Sequence, residues 1–185
     1  MSKIILLPLE PLDSRYTIQW RQWFPQELHK YHPDYVQIDG ELITDRVEVG
    51  QVLDAYGTTV WKLTQLTELV KQIRNGLITS DDTLLFMDIW HFGIEALQYI
   101  HCLGGSRPKI TGVLHAGSYD NSDFTYLHGM RPWAKHLEEC WFTFIDKLFV
   151  GSEYHRNMIM NNFSLPSNKV SVTHLPFYHI DIEPQ

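Results

Sequence analysis

Three short polar stretches hold most of the groups in this chain that could do chemistry. Residues 8–15 carry Glu10, Asp13 and Arg15. Residues 88–91 read Asp-Ile-Trp-His, placing Asp88 beside Trp90 and His91. The third stretch runs from His115 through Ala116, Gly117 and Ser118 to Asp120, with Asp123 shortly after. An imidazole titrates near neutrality and can donate to or accept from a reacting oxygen. Carboxylates bind hydroxyl groups, and an arginine fork meets a phosphate with paired donors. An acid next to an indole suits a sugar, with hydroxyls on the carboxylate and the apolar ring face on the aromatic. Each group also has a structural alternative. His115 can be satisfied by backbone carbonyls, Arg15 can pair with Asp13 or Glu10, and Asp88 can cap the helix that follows. The Asp-Asn-Ser-Asp run at 120–123 is also ordinary turn chemistry.

Each stretch follows a short apolar run, so each sits at the carboxyl end of an expected strand. Apolar runs at 3–7, 35–38, 83–87, 110–114, 148–150 and 170–172 read as strands, the first continuous enough to be buried on both faces. Amphipathic segments lie between them. Ser14 is the expected cap of a helix carrying Trp20, Trp23 and Phe24, which Pro25 bends or restarts. Thr58 is the expected cap of a helix whose apolar stripe is Val60, Leu63, Leu66, Val70 and Ile73, stopped at Gly76. Further helices are expected over 93–102, from Pro132 through Ile145, and from Ser152 to about Asn161. Residues 41–56 give no clear pattern. Strands alternating with helices imply an α/β fold: a doubly wound, Rossmann-like parallel sheet of about six strands with helices on both faces. Ligands of such sheets bind in the crevice beyond the carboxyl ends of the strands. Ser152 and Glu153 open a helix whose N–H groups are a candidate anion site, with a plain capping role for Ser152 as the alternative.

Composition narrows the classes. The chain has 185 residues, 44% of them hydrophobic and 20% charged, which is globular rather than disordered. A net charge of −7 and the lack of a Lys/Arg cluster give no electrostatic reason for a nucleic-acid partner. No run reaches the ~20 apolar residues of a membrane span, and the N-terminal run is too short for a signal peptide. A cytoplasmic location is expected. Cys102 and Cys140 fall in expected helices and read as buried free thiols. Ten histidines supply no metal-binding spacing, so no metal is expected. The phosphate-loop, dinucleotide-binding and nucleophile-elbow motifs are all missing. Trp61 and Trp141 are expected in the core.

The order of these parts resembles the N-terminal domain of a GT-B glycosyltransferase. The local likeness rests on Asp146-Lys-Leu-Phe-Val-Gly-Ser-Glu-Tyr-His-Arg-Asn-Met, on Asn168-Lys-Val-Ser-Val-Thr-His-Leu-Pro-Phe, and on His115 within Val-Leu-His-Ala-Gly. The loop after the first strand departs from the glycine-rich loop that many members carry. The resemblance implies an acceptor-side domain over 1–176, with 177–185 a tail or linker to an absent donor-binding domain. It implies sugar transfer from a nucleotide-sugar donor, a co-substrate rather than a cofactor, to a hydroxyl of a small-molecule or glycan acceptor. His115 would be the catalytic group; Glu10, Asp13, Arg15, Asp88, Trp90, His91, Ser118, Asp120 and Asp123 would hold the acceptor. A chain with the acceptor half alone is expected to be weak or inactive without a second domain or partner chain. A non-catalytic sugar- or protein-binding module on the same fold is the alternative. A looser likeness extends to phage-type proteins that glycosylate DNA bases.

Overall fold

The computed structural model describes residues 2–12, 17–44, 47, 51 and 53–174. Six strands form one parallel sheet: β1 (Ile4–Leu7), β2 (Val36–Gln37), β3 (Thr83–Phe86), β4 (Lys109–Leu114), β5 (Lys147–Val150) and β6 (Val170–Val172). Their order across the sheet is β2-β1-β3-β4-β5-β6. This is the second common doubly wound order, 2-1-3-4-5, extended by one strand. Ile5 pairs with Val36 on one side and Leu84 on the other, and Phe86 pairs with Gly112. The chain steps outward from β1 to β2 and then returns to place β3 on the far side of β1. The switch point therefore lies between β1 and β3, where the carboxyl ends open a crevice.

The alternation of side chains along the strands divides the core in two. Leu6, Leu85 and Val113 face α1 (Thr17–Tyr31), which packs Trp20, Trp23, Phe24 and Leu28 onto them. Ile5, Leu7, Leu84, Phe86, Ile110, Leu114, Leu148 and Val150 face the opposite layer. That layer contains α2 (Ala55–Arg74), α3 (Gly93–Cys102), α5 (Arg131–Phe144) and α6 (Glu153–Asn162), with a short α4 (Phe124–Leu127) in the loop after β4. Among the described residues, one helix covers one face and four cover the other, as right-handed crossovers require for this strand order. The final strand follows a 3-10 turn at Ser167–Lys169.

Several helices differ from expectation for identifiable reasons. α1 runs unbroken through Pro25, because Trp20 before it and Leu28 after it pack in the same cluster. That packing outweighs the roughly 3 kcal/mol that an interior proline costs. α2 begins at Ala55, capped by Asp54, whose side chain accepts from the Tyr56 amide; Thr58 lies inside its first turn. Its buried face is Trp61, Lys62, Gln65, Leu69 and Ile73, while Leu63 is 47% exposed. Two polar residues on that face obscured it. Cys102 is exposed and Cys140 half-buried, not buried as expected: the buried stripe of α3 ends at Leu97, and that of α5 runs through Ala134, Glu138, Trp141 and Phe142 beside Cys140. Trp61 and Trp141 are core residues. The expected Ser14 cap and the 177–185 tail lie outside the described residues.

Gly40 shows how tightly α2 is seated. A Cβ there would collide with the Trp61 backbone. The helix thus packs directly on the chain leaving β2. Among the described residues, no helix is long and apolar enough to cross a membrane.

Candidate functional site

The loops after β1, β3 and β4 meet at the switch point around a crevice of about 120 Å³. Glu10, Asp88, Trp90, His115 and Asp123 all line it, together with Thr58, Lys62 and Phe124. Strand order explains the meeting, because β1, β3 and β4 are consecutive neighbours.

Asp88 lies just past the end of β3. Its Oδ1 accepts from the Trp90 amide at 3.0 Å and its Oδ2 faces Lys62 Nζ at 3.4 Å. Burial pushes its carboxyl up, but Lys62, His115 and the Trp90 amide together outweigh burial and hold it below the usual carboxylate range. Lys62 also donates to the Trp90 carbonyl, so one cation from α2 ties down both ends of the loop. Asp88 does not cap α3, which starts without a side-chain cap. Glu10 is 3% exposed and accepts from the Thr58 hydroxyl at 2.6 Å, joining the first loop to the first turn of α2.

His115 leaves the end of β4, packs its ring on Trp20 at 5.0 Å, and bonds Met87 O through Nε2 at 2.7 Å. A carbonyl only accepts, so Nε2 carries the proton in this arrangement. The ring stands between the crevice and a more open hollow of about 250 Å³, lined also by Asp120, Gly151, Ser152, Tyr154 and His155. There Tyr119 Oη lies 2.5 Å from His155 Nε2. Burial, reinforced by Glu138, Asp120 and Asp123, pushes the phenol up. Burial pushes the imidazole down. A neutral phenol and a neutral imidazole therefore share this hydrogen bond.

Other expected site residues serve the frame. His91 is 3% exposed. Its Nδ1 accepts from the Gly93 amide at 2.9 Å, which leaves Nε2–H to donate to Gln65 Oε1 at 3.0 Å. Burial, with the Lys62 charge, lowers its pKa to about 3 against a partial offset from Asp88. Gln65 in turn donates to the Pro8 and Ile38 carbonyls. His91 thus sits beneath the crevice as a pin joining β3, α2 and the loop after β1. Ser118 is fully buried; its amide and hydroxyl donate to the two oxygens of Glu138 at 2.6 and 2.7 Å. Burial pushes Glu138 up more than Ser118 and Arg131 pull it down. A Cβ on Gly117 would overlap the Tyr119 ring and lie 2.7 Å from Glu138, so this step must be glycine for the loop to lie so close to α5.

Asp120 accepts from the Ser122 amide at 2.8 Å, a local turn, and borders the open hollow rather than the crevice. Asp123 lines the crevice while capping α4 through the Thr125 amide. Ser152 caps α6 by accepting from the His155 amide at 3.1 Å, and the exposed Glu153 faces Arg156 at 3.4 Å. Asp13 and Arg15 lie outside the described residues. Lys62, Gln65 and Glu138 went unnoticed in the sequence. All three are polar residues on helices, and only the buried phase of those helices marks them. Among the described residues, no group of three or more His, Cys, Asp or Glu side chains converges to hold a metal ion.

Compared with known proteins, the chain matches no family model and no curated sequence.

Proposed function

We propose that the switch-point crevice binds a hydroxyl-rich, sugar-like ligand and serves as the acceptor side of a glycosyl transfer. The observation that carries this reading is the convergence of Glu10, Asp88 and Asp123 with the Trp90 indole and the His115 imidazole on one crevice. Charged acceptors and a flat apolar ring are the two kinds of surface that a pyranose presents itself to. On this reading the donor is a nucleotide sugar, bound by a second domain or partner chain, and His115, which lines the crevice, is the group offered to the acceptor hydroxyl or the leaving phosphate.

A second reading, a binding module without turnover, draws on one specific contact. Nε2 of His115 is committed to the Met87 carbonyl, so proton transfer through that atom requires the ring to leave its place.

Titrating isotope-labelled protein with saccharides, followed by amide shifts, tests the reading. Shifts concentrated at 88–90, 115–117 and 123–125 support it. Their absence with every saccharide offered refutes it. Transfer from a nucleotide sugar to a saccharide, abolished in His115→Ala, separates enzyme from module.

A further inference from the structure

We propose that Lys62 and Asp88 together set the specificity of this crevice, gripping one ligand hydroxyl that accepts from the ammonium and donates to the carboxylate. This rests on the sugar-binding reading above and names the group that the crevice selects. Both side chains line the crevice, 11% and 19% exposed, with Nζ 3.4 Å from Oδ2. An ammonium has three donors. Lys62 gives one to the Trp90 carbonyl and one to Asp88, and it has no third partner among the described residues. Asp88 accepts one bond at each oxygen, from the Trp90 amide and from Lys62. A carboxylate has about four lone-pair sites, so each oxygen can accept again. Its carboxyl is held below the usual range, so at neutral pH it is charged and has no proton to give.

An entering group therefore meets a donor and an acceptor side by side, each of fixed sense. Lys62 only donates, and ionised Asp88 only accepts. A hydroxyl satisfies both at once. A fluorine or an ether oxygen can accept but not donate. An ammonium can donate but not accept from Lys62. A carboxylate brings its charge against Asp88, with Glu10 and Asp123 on the same crevice. The pair thus selects a neutral, hydroxylated edge over its amino and acidic counterparts, because a group that leaves a buried charge unpaired binds poorly. Helix register builds the arrangement. Thr58 and Lys62 are four apart on α2 and share one face. Thr58 donates to Glu10 while Lys62 holds Asp88, so one helix face secures a carboxylate from each of two strand tips. The bond from Lys62 to the Trp90 carbonyl fixes the loop, which keeps the pair in place as a ligand arrives. At about 120 Å³ the crevice is smaller than the ~150 Å³ cavity that takes a benzene ring, so a pyranose enters by one edge and a single hydroxyl weighs heavily.

The test is affinity by NMR titration of the full chain. Methyl glycosides of glucose, galactose and mannose are compared first. The tightest is then compared with its monodeoxy, monodeoxyfluoro and monoamino derivatives. The expected result is one ring position at which all three replacements weaken binding about tenfold or more. In Lys62→Met the parent should fall to the affinity of that deoxy derivative, so the ratio between them closes to about one. Asp88→Asn should instead remove the fluoro penalty, since its amide NH2 can donate to fluorine. The wild-type series decides by itself if either variant does not fold. Deoxy derivatives all within about twofold of the parent overturn the proposal, as do a fluoro derivative that binds like the parent at that position and an amino derivative that binds tighter. A deoxy penalty unchanged in Lys62→Met overturns it too, and assigns the ion pair to bracing the loop alone. All of these leave the sugar-binding reading standing. No binding of any glycoside overturns both.

Discussion

Acid should weaken the fold through His91 before it touches the carboxylates. The ring is buried, neutral and bonded at both nitrogens, with a pKa of about 3 in the folded chain. In the unfolded chain it titrates near 6.5. Above pH 6.5 both states are neutral and the full contribution is present. As the pH falls, the unfolded chain binds the proton first, so stability drains away until about pH 3, where the folded ring protonates too. Between pH 7 and 4.5 the loss is about 2.5 kcal/mol, a large fraction of an ordinary domain's stability. Urea unfolding at a series of pH values, on wild type and His91→Asn, isolates this group. Glu138, whose raised pKa gives a contribution of opposite sign, is common to both proteins and cancels. The stability difference between wild type and variant should shrink by about 2.5 kcal/mol from pH 7 to 4.5. A difference that stays constant with pH would show that the ring titrates as it does in water, and the pin would not exist as described.

Lys62→Met removes the only cation bonded to Asp88 among the described contacts, at side-chain exposures of 11% and 19%. It should cost about 2 kcal/mol in thermal or urea unfolding and raise the Asp88 pKa by NMR titration, with Lys62→Met/Asp88→Asn recovering most of the loss. Gly40→Ala drives a methyl into the Trp61 backbone and should cost about 3 kcal/mol in the same unfolding assay. Thr17 is 1% exposed and its hydroxyl has no partner among the described residues, so Thr17→Val should raise stability by about 1 kcal/mol, read as a higher urea midpoint.

The strand tips were legible because a parallel sheet forces its polar loops to one edge. Glu10, Asp88, Trp90 and His115 follow apolar runs that are too short and too uniform to be anything but buried strands. Their direction was less legible. His91 and Ser118 are as polar as Asp88, yet their bonding capacity is spent on Gln65, Gly93 and Glu138. Nothing in residue type separates a strand-tip side chain that faces a crevice from one that satisfies the backbone. The helix phases failed for a related reason. In α2 a hydrophobic stripe through Leu63 competes with the true face through Trp61, Gln65 and Leu69, and only the carbonyls of Pro8 and Ile38 make Gln65 welcome inside. The strand order, and hence the adjacency of β1, β3 and β4, is a consequence of crossover handedness and long-range pairing that no local pattern encodes.

The most direct test of the central claim is a crystal structure of the protein soaked with the tightest-binding saccharide. The account predicts one sugar ring in the crevice, hydroxyls within hydrogen-bond distance of Asp88 or Glu10 and its C–H face toward Trp90. Saccharide density confined to the hollow beside Ser152 and His155, or a crevice left vacant at saturating ligand, would contradict it.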